Sequence, residues 1–302
     1  MIPKNSQKRI IMKNTSFKSN GKRIPRIAAV HDLSCFGRCA LTVVIPTLSA
    51  MGVQTVPIPT ALLSTHTGGF SDMYFEDLTD RMKSICDHLG DIGVDFDAIY
   101  TGFLGSEAQI EVVSRLIDRF GVDCPVFVDP VMGDDGELYS TYTLGMVGGM
   151  KHLCEKADII TPNLTEAFLL ADMPYSADRK MSEKAATELC RTLFKKISAY
   201  CPAKTVITGL HFENDRVGTF VADENGGTIY SAPHIGKNYP GTGDLFASVM
   251  LGELIRGETL QKSAVRASDF TRETIAYSLN FPTNTREGVS FEPLLYKLCP
   301  KG

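Results

Sequence analysis

Short apolar runs and longer helix-type stretches alternate along most of this chain. The short runs predict strands at residues 27–30, 53–58, 98–101, 125–128, 158–160 and 205–208. The longer stretches predict helices at 39–51, 75–89, 107–120, 142–156, 180–200, 245–255, 259–278 and 286–298. Regular alternation of strand and helix predicts an α/β fold with a parallel sheet.

Local signals refine this pattern at several points. Ser106 is placed to cap the helix that ends at Phe120. Residues 225–227, Asn-Gly-Gly, separate two strand-like runs at 217–222 and 228–232, which predicts a β-hairpin. Polar loops are predicted at 31–38, 60–70 and 129–139, each of them after a strand of the apolar pattern.

Polar side chains follow four of the predicted strands. They are Asp32 with Ser34, Asp129, Asn163 with Glu166, and Thr208. Because the carboxyl ends of parallel strands share one edge of a sheet, we expect these groups to meet in one cleft. Asn163 and Glu166 also have the spacing of a helix capping box, and capping alone would account for both residues.

The stretch 239–248 carries the strongest chemical signal. Gly241, Thr242 and Gly243 precede the lone acid Asp244, and an apolar helix-forming run follows to Ile255. A glycine bend at a helix N-terminus presents free N–H groups and a positive dipole end, which together form an anion site. A carboxylate beside a phosphate site can take a proton from an attacking hydroxyl.

Composition and charge narrow the class of protein. The 302 residues include 43 % hydrophobic and 22 % charged residues, as in ordinary globular proteins. Residues 1–26 hold eight basic residues and no acid, which leaves the remainder with 23 basic and 35 acidic residues, a formal net charge of −12. We therefore expect a disordered basic tail at 1–26, a single folded domain at 27–302, and no nucleic acid as main partner.

No apolar run is long enough to span a membrane, and the N-terminus does not resemble a signal peptide. The eight cysteines are scattered and include no Cys-x-x-Cys pair, which favours reduced thiols and a cytoplasmic location. A dinucleotide-dependent dehydrogenase is disfavoured because the first strand leads into His31-Asp32 rather than a glycine motif. A Walker-type ATPase is disfavoured because its motif is absent. A non-catalytic metabolite-binding regulator stays open, although it would not need Asp244.

Four motifs in register resemble those of the vitamin B6 (pyridoxal) kinases, a ribokinase-like family. They are Gly-Thr-Gly-Asp-Leu-Phe at 241–246, Asp-Pro-Val-x-Gly-Asp at 129–134, Thr-Pro-Asn-x-x-Glu at 161–166, and Ser-x-His-Thr at 64–67, where Thr65 replaces the usual Asn. The similarity covers about residues 27–296. It implies a three-layer α/β/α sandwich with a mostly parallel central sheet.

The resemblance also implies a set of roles. Asp244 resembles the catalytic base that takes the proton of the substrate hydroxymethyl group, and the N–H groups of 241–243 resemble the anion hole for the transferring phosphoryl. Asp129 and Glu166 resemble acids that place Mg²⁺ through waters. The implied nucleotide contacts, the last two of them on a flap over the phosphates, are Thr161, Asn163, Thr208, Asp134 and Tyr139.

The substrate-ring end matches the family less closely. Thr67 and Phe103 match positions beside the pyridine ring. The family's Ser-His near the end of the first strand is replaced by His31-Asp32, with Ser34 two residues later, so Asp32 and Ser34 are candidates for ring recognition. The resemblance further implies ATP and Mg²⁺, a monovalent cation as an additional candidate, a small-molecule B6 substrate and a homodimer.

Hydroxymethylpyrimidine kinases are the second candidate family. Residues 237–240, Lys-Asn-Tyr-Pro, resemble the sequence that precedes the anion hole in those enzymes, and their substrate is also a heteroaromatic hydroxymethyl compound. Their signature commonly ends in Gly-Thr-Gly-Cys, whereas this chain has Asp244 at that position. The aspartate favours B6 kinases that do not use the cysteine.

Overall fold

A computed structural model of the protein describes residues 23–176 and 180–300. The strands of this part are β1 (Arg26–Phe36), β2 (Gln54–Thr65), β3 (Phe75–Asp77), β4 (Ala98–Thr101), β5 (Val126–Val128), β6 (Gly133–Asp134), β7 (Glu137–Leu138), β8 (Ile159–Ile160), β9 (Lys204–His211), β10 (Arg216–Asp223) and β11 (Gly226–Pro233). The α-helices are α1 (Leu41–Ala50), α2 (Thr79–Asp91), α3 (Glu107–Phe120), α4 (Leu144–Glu155), α5 (Leu164–Leu170), α6 (Glu183–Ile197), α7 (Thr242–Ile255) and α8 (Leu260–Ser278).

Nine of these strands form one sheet in the order β11-β10-β9-β8-β5-β4-β1-β2-β3. The strands from β2 to β9 in this order run parallel, while β3 at one edge and β10 and β11 at the other pair antiparallel. Strands β6 and β7 form a separate small hairpin. The mostly parallel sheet is the one that the alternating pattern predicts.

Helices cover both faces of the sheet. Alternation along β1 sends Ala28 and Val30 into one apolar core and Ile27 and Ala29 into the other. Helices α2 to α6 contribute to the first core, and α1, α7 and α8 contribute to the second. The predicted three-layer α/β/α sandwich is confirmed. Among the described residues, no helix combines the length and the apolar character needed to cross a membrane.

Only part of the predicted basic tail lies within the described residues. Its residues 1–22 lie outside the described part of the chain. Arg26 begins β1, and Arg23 forms ion pairs with Asp95, at 3.0 Å, and with Asp97. The folded part of the chain therefore includes residues 23–26, which the charge pattern assigned to the tail.

Two of the predicted loops are largely strand. Residues 31–36 continue β1, and residues 60–65 continue β2. The two extensions pair with each other, for example Ser34 with Leu63 and Phe36 with Thr65. Their side chains interrupt the apolar runs, but the backbone ladder continues across them after a register shift between His31 and Leu33.

Two predicted helices also change. The segment predicted as a helix at 75–89 begins with the edge strand β3 before α2 starts at Thr79. The last predicted helix, 286–298, is replaced by two 3-10 segments, Thr285–Glu287 and Glu292–Leu298. Capping predictions are confirmed: Ser106 caps α3, and Asn163 with Glu166 forms a complete capping box at α5.

Candidate active site

A cavity of about 250 Å³ lies at the carboxyl ends of the central strands, beside the N-terminus of α7. Twelve of the predicted site residues line it: Asp32, Thr67, Phe103, Asp129, Tyr139, Thr161, Asn163, Glu166, Thr208, Gly241, Gly243 and Asp244. Ser34, Thr242 and Asp134 do not line it. The expectation of one cleft built from separate strand ends is met.

The turn before α7 depends on Gly241. This residue has φ +75°, and a Cβ added to it would lie 1.9 Å from the carbonyl oxygen of Arg38. Only glycine fits both the left-handed conformation and this close approach. The hydroxyl of Thr242 donates to the carbonyl of Tyr239 at 3.0 Å, so this side chain braces the turn instead of facing the cavity.

Asp244 sits in the first turn of α7, and one of its oxygens, Oδ2, accepts a hydrogen bond from the backbone N–H of Ala40 at 2.8 Å. Burial raises the pKa of Asp244 to about 7, the Ala40 N–H opposes this rise, and the nearby charge of Asp32 adds to it. A carboxylate that exchanges its proton near neutral pH is suited to act as a general base.

Two further acids face the cavity, Asp129 from the end of β5 and Glu166 from the first turn of α5. Asp129 accepts a hydrogen bond from the Thr161 hydroxyl at 3.2 Å. Burial, together with repulsion from Asp244, raises the pKa of Asp129 to about 8, and the Thr161 hydroxyl opposes the rise. Burial and the charge of Asp129 likewise hold the pKa of Glu166 well above its usual range.

Glu166 serves the helix and the cavity at once. Its Oε2 accepts the N–H of Asn163 at 2.8 Å, and its Oε1 accepts the N–H of Met132 at 3.0 Å. The Asn163 side chain in turn accepts the N–H of Glu166 at 2.9 Å. Both readings of this pair from the sequence are therefore compatible with the structure, because the capped helix start is itself part of the cavity wall.

The acids suit a hard cation that is held mainly by other ligands. Among the described residues, no group of three or more His, Cys, Asp or Glu is arranged to hold a metal ion by itself. Asp129 and Glu166 are two mutually repelling carboxylates, and each oxygen retains lone-pair capacity beyond the bonds given above. Two carboxylates completed by waters and phosphate oxygens is the donor set that Mg²⁺ commonly uses.

The segment predicted to act as a flap contains the β6–β7 hairpin. Tyr139, which follows it, lines the cavity. Asp134 is exposed on the hairpin, its carboxylate accepts the N–H of Asp135 at 2.9 Å, and it does not line the cavity. Asn163 ties the hairpin to α5, since its amide donates to the carbonyl of Gly133 at 2.8 Å.

At the opposite end of the cavity, Asp32 is buried and accepts the hydroxyl of Ser34 at 2.8 Å. Ser34 is fully buried beneath this carboxylate, so it supports Asp32 and does not reach the cavity. Burial raises the pKa of Asp32. Thr67 and Phe103 line this end of the cavity, as the resemblance implies.

Several lining residues were not predicted from the sequence: Cys39, Ala40, Leu63, His66, Gly68, Val131, Pro240 and Phe246. His66 had a signal, because it belongs to the Ser-x-His-Thr motif. Its Nδ1 accepts the N–H of Gly68 at 3.0 Å, so its Nε2 carries the proton and donates to the carbonyl of Arg286 at 2.6 Å. No sequence signal pointed to Ala40, because it contributes a backbone N–H to Asp244, which lies 204 positions farther along the chain.

Comparisons with known proteins agree with this geometry. A family model described as phosphomethylpyrimidine kinase matches residues 30–288. A candidate phosphomethylpyrimidine kinase from Bacteroides thetaiotaomicron, solved with pyridoxal, is 41 % identical, has a TM-score of 0.83, and the match covers 91 % of this chain and 96 % of that one. Pyridoxal kinase from Lactobacillus plantarum is 30 % identical with a TM-score of 0.81, at the same coverage. The hydroxymethylpyrimidine/phosphomethylpyrimidine kinase of Bacillus subtilis is 27 % identical over 246 residues, 78 % of this chain and 84 % of the relative.

Proposed function

The chain belongs to the phosphomethylpyrimidine kinase family, and we propose that it phosphorylates the 5′-hydroxymethyl group of pyridoxal, pyridoxine or pyridoxamine with ATP and Mg²⁺. The observation that carries the proposal is the placement of Asp244. It lies in the first turn of α7, in a cavity, with a pKa raised to about 7. Pyridoxal in the structure of the 41 % identical Bacteroides relative supports a B6 substrate.

In the proposed reaction, Asp244 accepts the proton of the substrate hydroxyl as its oxygen attacks the γ-phosphorus of ATP. The new P–O bond forms as the bond to the leaving ADP oxygen breaks, and Asp244 ends as the neutral acid. The N–H groups of 241–243 at the α7 N-terminus stabilise the negative charge on the transferring phosphoryl. Such a site works mainly through positioning and charge stabilisation.

The acids at the end of β5 and in the first turn of α5 have a role separate from that of Asp244. Asp129 and Glu166 would hold Mg²⁺ together with waters and phosphate oxygens. The ion, when bound, neutralises charge on the phosphates and on the two carboxylates. Thr161, Asn163 and Thr208 lie on the same side and fit contacts to the nucleotide phosphates. Asp134 loses support as a direct nucleotide contact because it lies outside the cavity lining.

The substrate ring is proposed to occupy the other end, between Thr67 and Phe103, with Asp32 facing a ring substituent or ring nitrogen. A homodimer and a monovalent cation stay predictions from the resemblance, and a cytoplasmic location stays a prediction from the cysteine pattern.

Hydroxymethylpyrimidine phosphorylation is a second candidate function. The Bacillus subtilis relative carries that activity in its name, and the matching family model is described as the related phosphomethylpyrimidine kinase. The substrate presents the same reacting group, a hydroxymethyl on a flat heteroaromatic ring. The base, the anion site and the acids would serve it equally, so the candidates differ only at the ring end of the cavity.

One coupled assay tests the proposal. ADP formation is measured with pyridoxal, pyridoxine, pyridoxamine and 4-amino-5-hydroxymethyl-2-methylpyrimidine as separate substrates. We expect turnover of at least one B6 compound, and a loss of about 10²–10⁴-fold in kcat for Asp244→Asn. Asp269→Asn, which changes an exposed acid on α8, is the matched control. Turnover of the pyrimidine alone supports the second candidate, and turnover of none supports a binding regulator.

A further inference from the structure

His31 is a buried polar side chain that the proposed chemistry does not use. It is fully buried, and neither ring nitrogen has a hydrogen-bond partner among the described residues. Its ring packs edge-on against Tyr100, with centroids 4.3 Å apart. Burial lowers the pKa of His31 to about 3, so the ring is neutral near pH 7. A buried donor or acceptor without a partner costs stability, and packing alone would be served better by an apolar residue.

The fold leaves room for this particular ring. Gly102 follows β4 next to β1, and a Cβ added to it would lie 2.2 Å from Nδ1 of His31. Alternation along β1 places His31 on the same face as Ala29, toward the layer formed by α1, α7 and α8. Asp244 lies on α7, which belongs to that layer. The side chains of His31 and Asp244 therefore lie near each other.

The nearest charged group is the proposed base. Nδ1 of His31 lies 4.0 Å from Oδ1 of Asp244, just beyond hydrogen-bond distance. The other oxygen, Oδ2, is held by the N–H of Ala40 at 2.8 Å. Within the described part of the chain, this is the only hydrogen bond that the carboxylate accepts. The orientation of Oδ1 is therefore not fixed by a bond, and a small rotation of the carboxylate would bring it within reach of His31.

We infer that His31 is a positioning residue for Asp244: the Nδ1–H of the neutral ring donates to Oδ1 when the carboxylate turns toward the substrate hydroxyl. The inference rests on the proposed function, in which Asp244 is the base. With Ala40 on Oδ2 and His31 on Oδ1, both oxygens are oriented, and each keeps a lone pair for the substrate proton. The proton on Nδ1 stays on His31 throughout.

A neutral donor suits this task better than a cation. A lysine or arginine at the same place would stabilise the ionised carboxylate strongly and lower its pKa, which would weaken the base. A neutral imidazole orients the carboxylate without adding charge. The group acts through Asp244 and does not contact the substrate.

The tautomer of His31 can be measured without any turnover. The protein, labelled with ¹⁵N in its six histidines, is studied by NMR at pH 8, and the His31 signals are assigned from their loss in His31→Asn. We expect the neutral tautomer with the proton on Nδ1, and a change of these signals in Asp244→Asn. A proton on Nε2, or signals that ignore Asp244→Asn, would overturn the inference.

Kinetics provide the second arm. His31→Leu removes the donor and keeps an apolar side chain, whereas the amide nitrogen of His31→Asn can take the place of Nδ1. We expect His31→Leu to lower kcat by about 10- to 100-fold, as a misplaced reacting group does, with KM values for both substrates within about twofold. We expect His31→Asn to recover most of the rate, and both variants to keep a native thermal transition.

A matched control and a double variant separate positioning from packing. Thr101→Val removes a buried hydroxyl on the neighbouring strand. Like the His31 ring, this hydroxyl lacks a partner among the described residues, and its loss should leave kcat unchanged. In an Asp244→Asn background, His31→Leu should cause no further loss. An equal loss in both backgrounds, or a native kcat for His31→Leu, would overturn the inference while the proposed function stands. If the unsubstituted protein phosphorylates none of the four compounds, the proposed function fails and the NMR result decides the tautomer.

Discussion

Replacing Gly241 by alanine should disable the anion site while the fold survives. The residue has φ +75°, a conformation that costs a non-glycine residue roughly 1–2 kcal/mol. The added methyl would also lie 1.9 Å from the Arg38 carbonyl, whereas Cβ atoms essentially never approach closer than 3.0 Å. The turn or the Arg38 segment must therefore move by roughly 1 Å, and a displacement of that size can lower kcat by about 10²-fold.

The displacement reaches the base from two sides. Gly241 begins the helix that carries Asp244, and Arg38 lies two residues before Ala40, whose N–H holds the carboxylate. The loss should therefore appear in kcat with the preferred substrate, measured at saturating ATP. Chemical denaturation of the same variant measures the change in the free energy of unfolding.

Gly93→Ala measures the cost of the left-handed backbone conformation without the cost of a steric clash. Gly93 has φ +72°, nearly the same conformation, and a Cβ there meets nothing within 4 Å. It lies in the turn after α2, away from the cavity. We expect this variant to lose about 1–2 kcal/mol of stability and no activity. A kcat for Gly241→Ala within a few-fold of the native value, with a stability loss equal to that of Gly93→Ala, would refute the steric argument.

Two further predictions concern the charges of the cavity. Because the base must be ionised, and its pKa is raised to about 7, kcat/KM should fall as pH drops below about 7; Asp32→Asn, which removes a repelling charge, should move this fall to lower pH. An unmoved pH profile in Asp32→Asn would show that the two acids do not interact. Glu166→Gln replaces one carboxylate oxygen by an NH₂ group, so the N–H of Asn163 or of Met132 loses its acceptor, which costs about 1–3 kcal/mol of stability. Removal of a buried charge that Asp129 repels offsets part of this loss, and the Mg²⁺ concentration needed for half-maximal rate should rise. A stability loss with unchanged Mg²⁺ dependence would assign Glu166 to capping alone.

The sequence predicts those parts of the site whose chemistry is local. Gly241 and Asp244 are three residues apart, and the capping box spans four residues, so their geometry is set within one turn of helix. Asp129 follows an apolar run that reads as a buried strand. The sheet then brings these groups to one edge because parallel strands end together.

The missed features depend on contacts between distant segments. Residues 31–36 look like a loop because His31, Asp32 and Ser34 are polar, yet these three side chains are buried and lie on a strand that pairs with β2. Of these three, Asp32 lines the cavity, Ser34 donates a hydrogen bond to Asp32, and His31 lies 4.0 Å from Asp244, so their polarity is not a sign of exposure to solvent. The Ala40 N–H bond to Asp244 and the gap beside Gly102 that admits His31 involve segments that no local pattern connects.

Ser34 shows that a side chain can lie on the same strand face as a cavity residue and still not reach the cavity. It lies two residues from Asp32 on the same face of β1, as strand alternation requires. Ser34 lies farther along the strand and is covered by other residues. Its hydroxyl therefore affects the cavity only through the Asp32 carboxylate, to which it donates a hydrogen bond. Sequence spacing identifies the face, and the extent of packing above it decides which side chain reaches the ligand.

Glu166 shows why the two interpretations of the Asn163–Glu166 pair could not be separated by spacing. A cap requires an acid whose oxygens accept backbone N–H groups, and a metal site requires the same acid to face a phosphate. Here the start of α5 forms the cavity wall, so one carboxylate meets both requirements with Oε2 on Asn163 and Oε1 on Met132. The bond to Met132 also ties α5 to the segment that leads into the β6–β7 hairpin. The proposed Mg²⁺ at Glu166 would therefore contact a carboxylate that is hydrogen-bonded both to the start of α5 and to the segment before the β6–β7 hairpin.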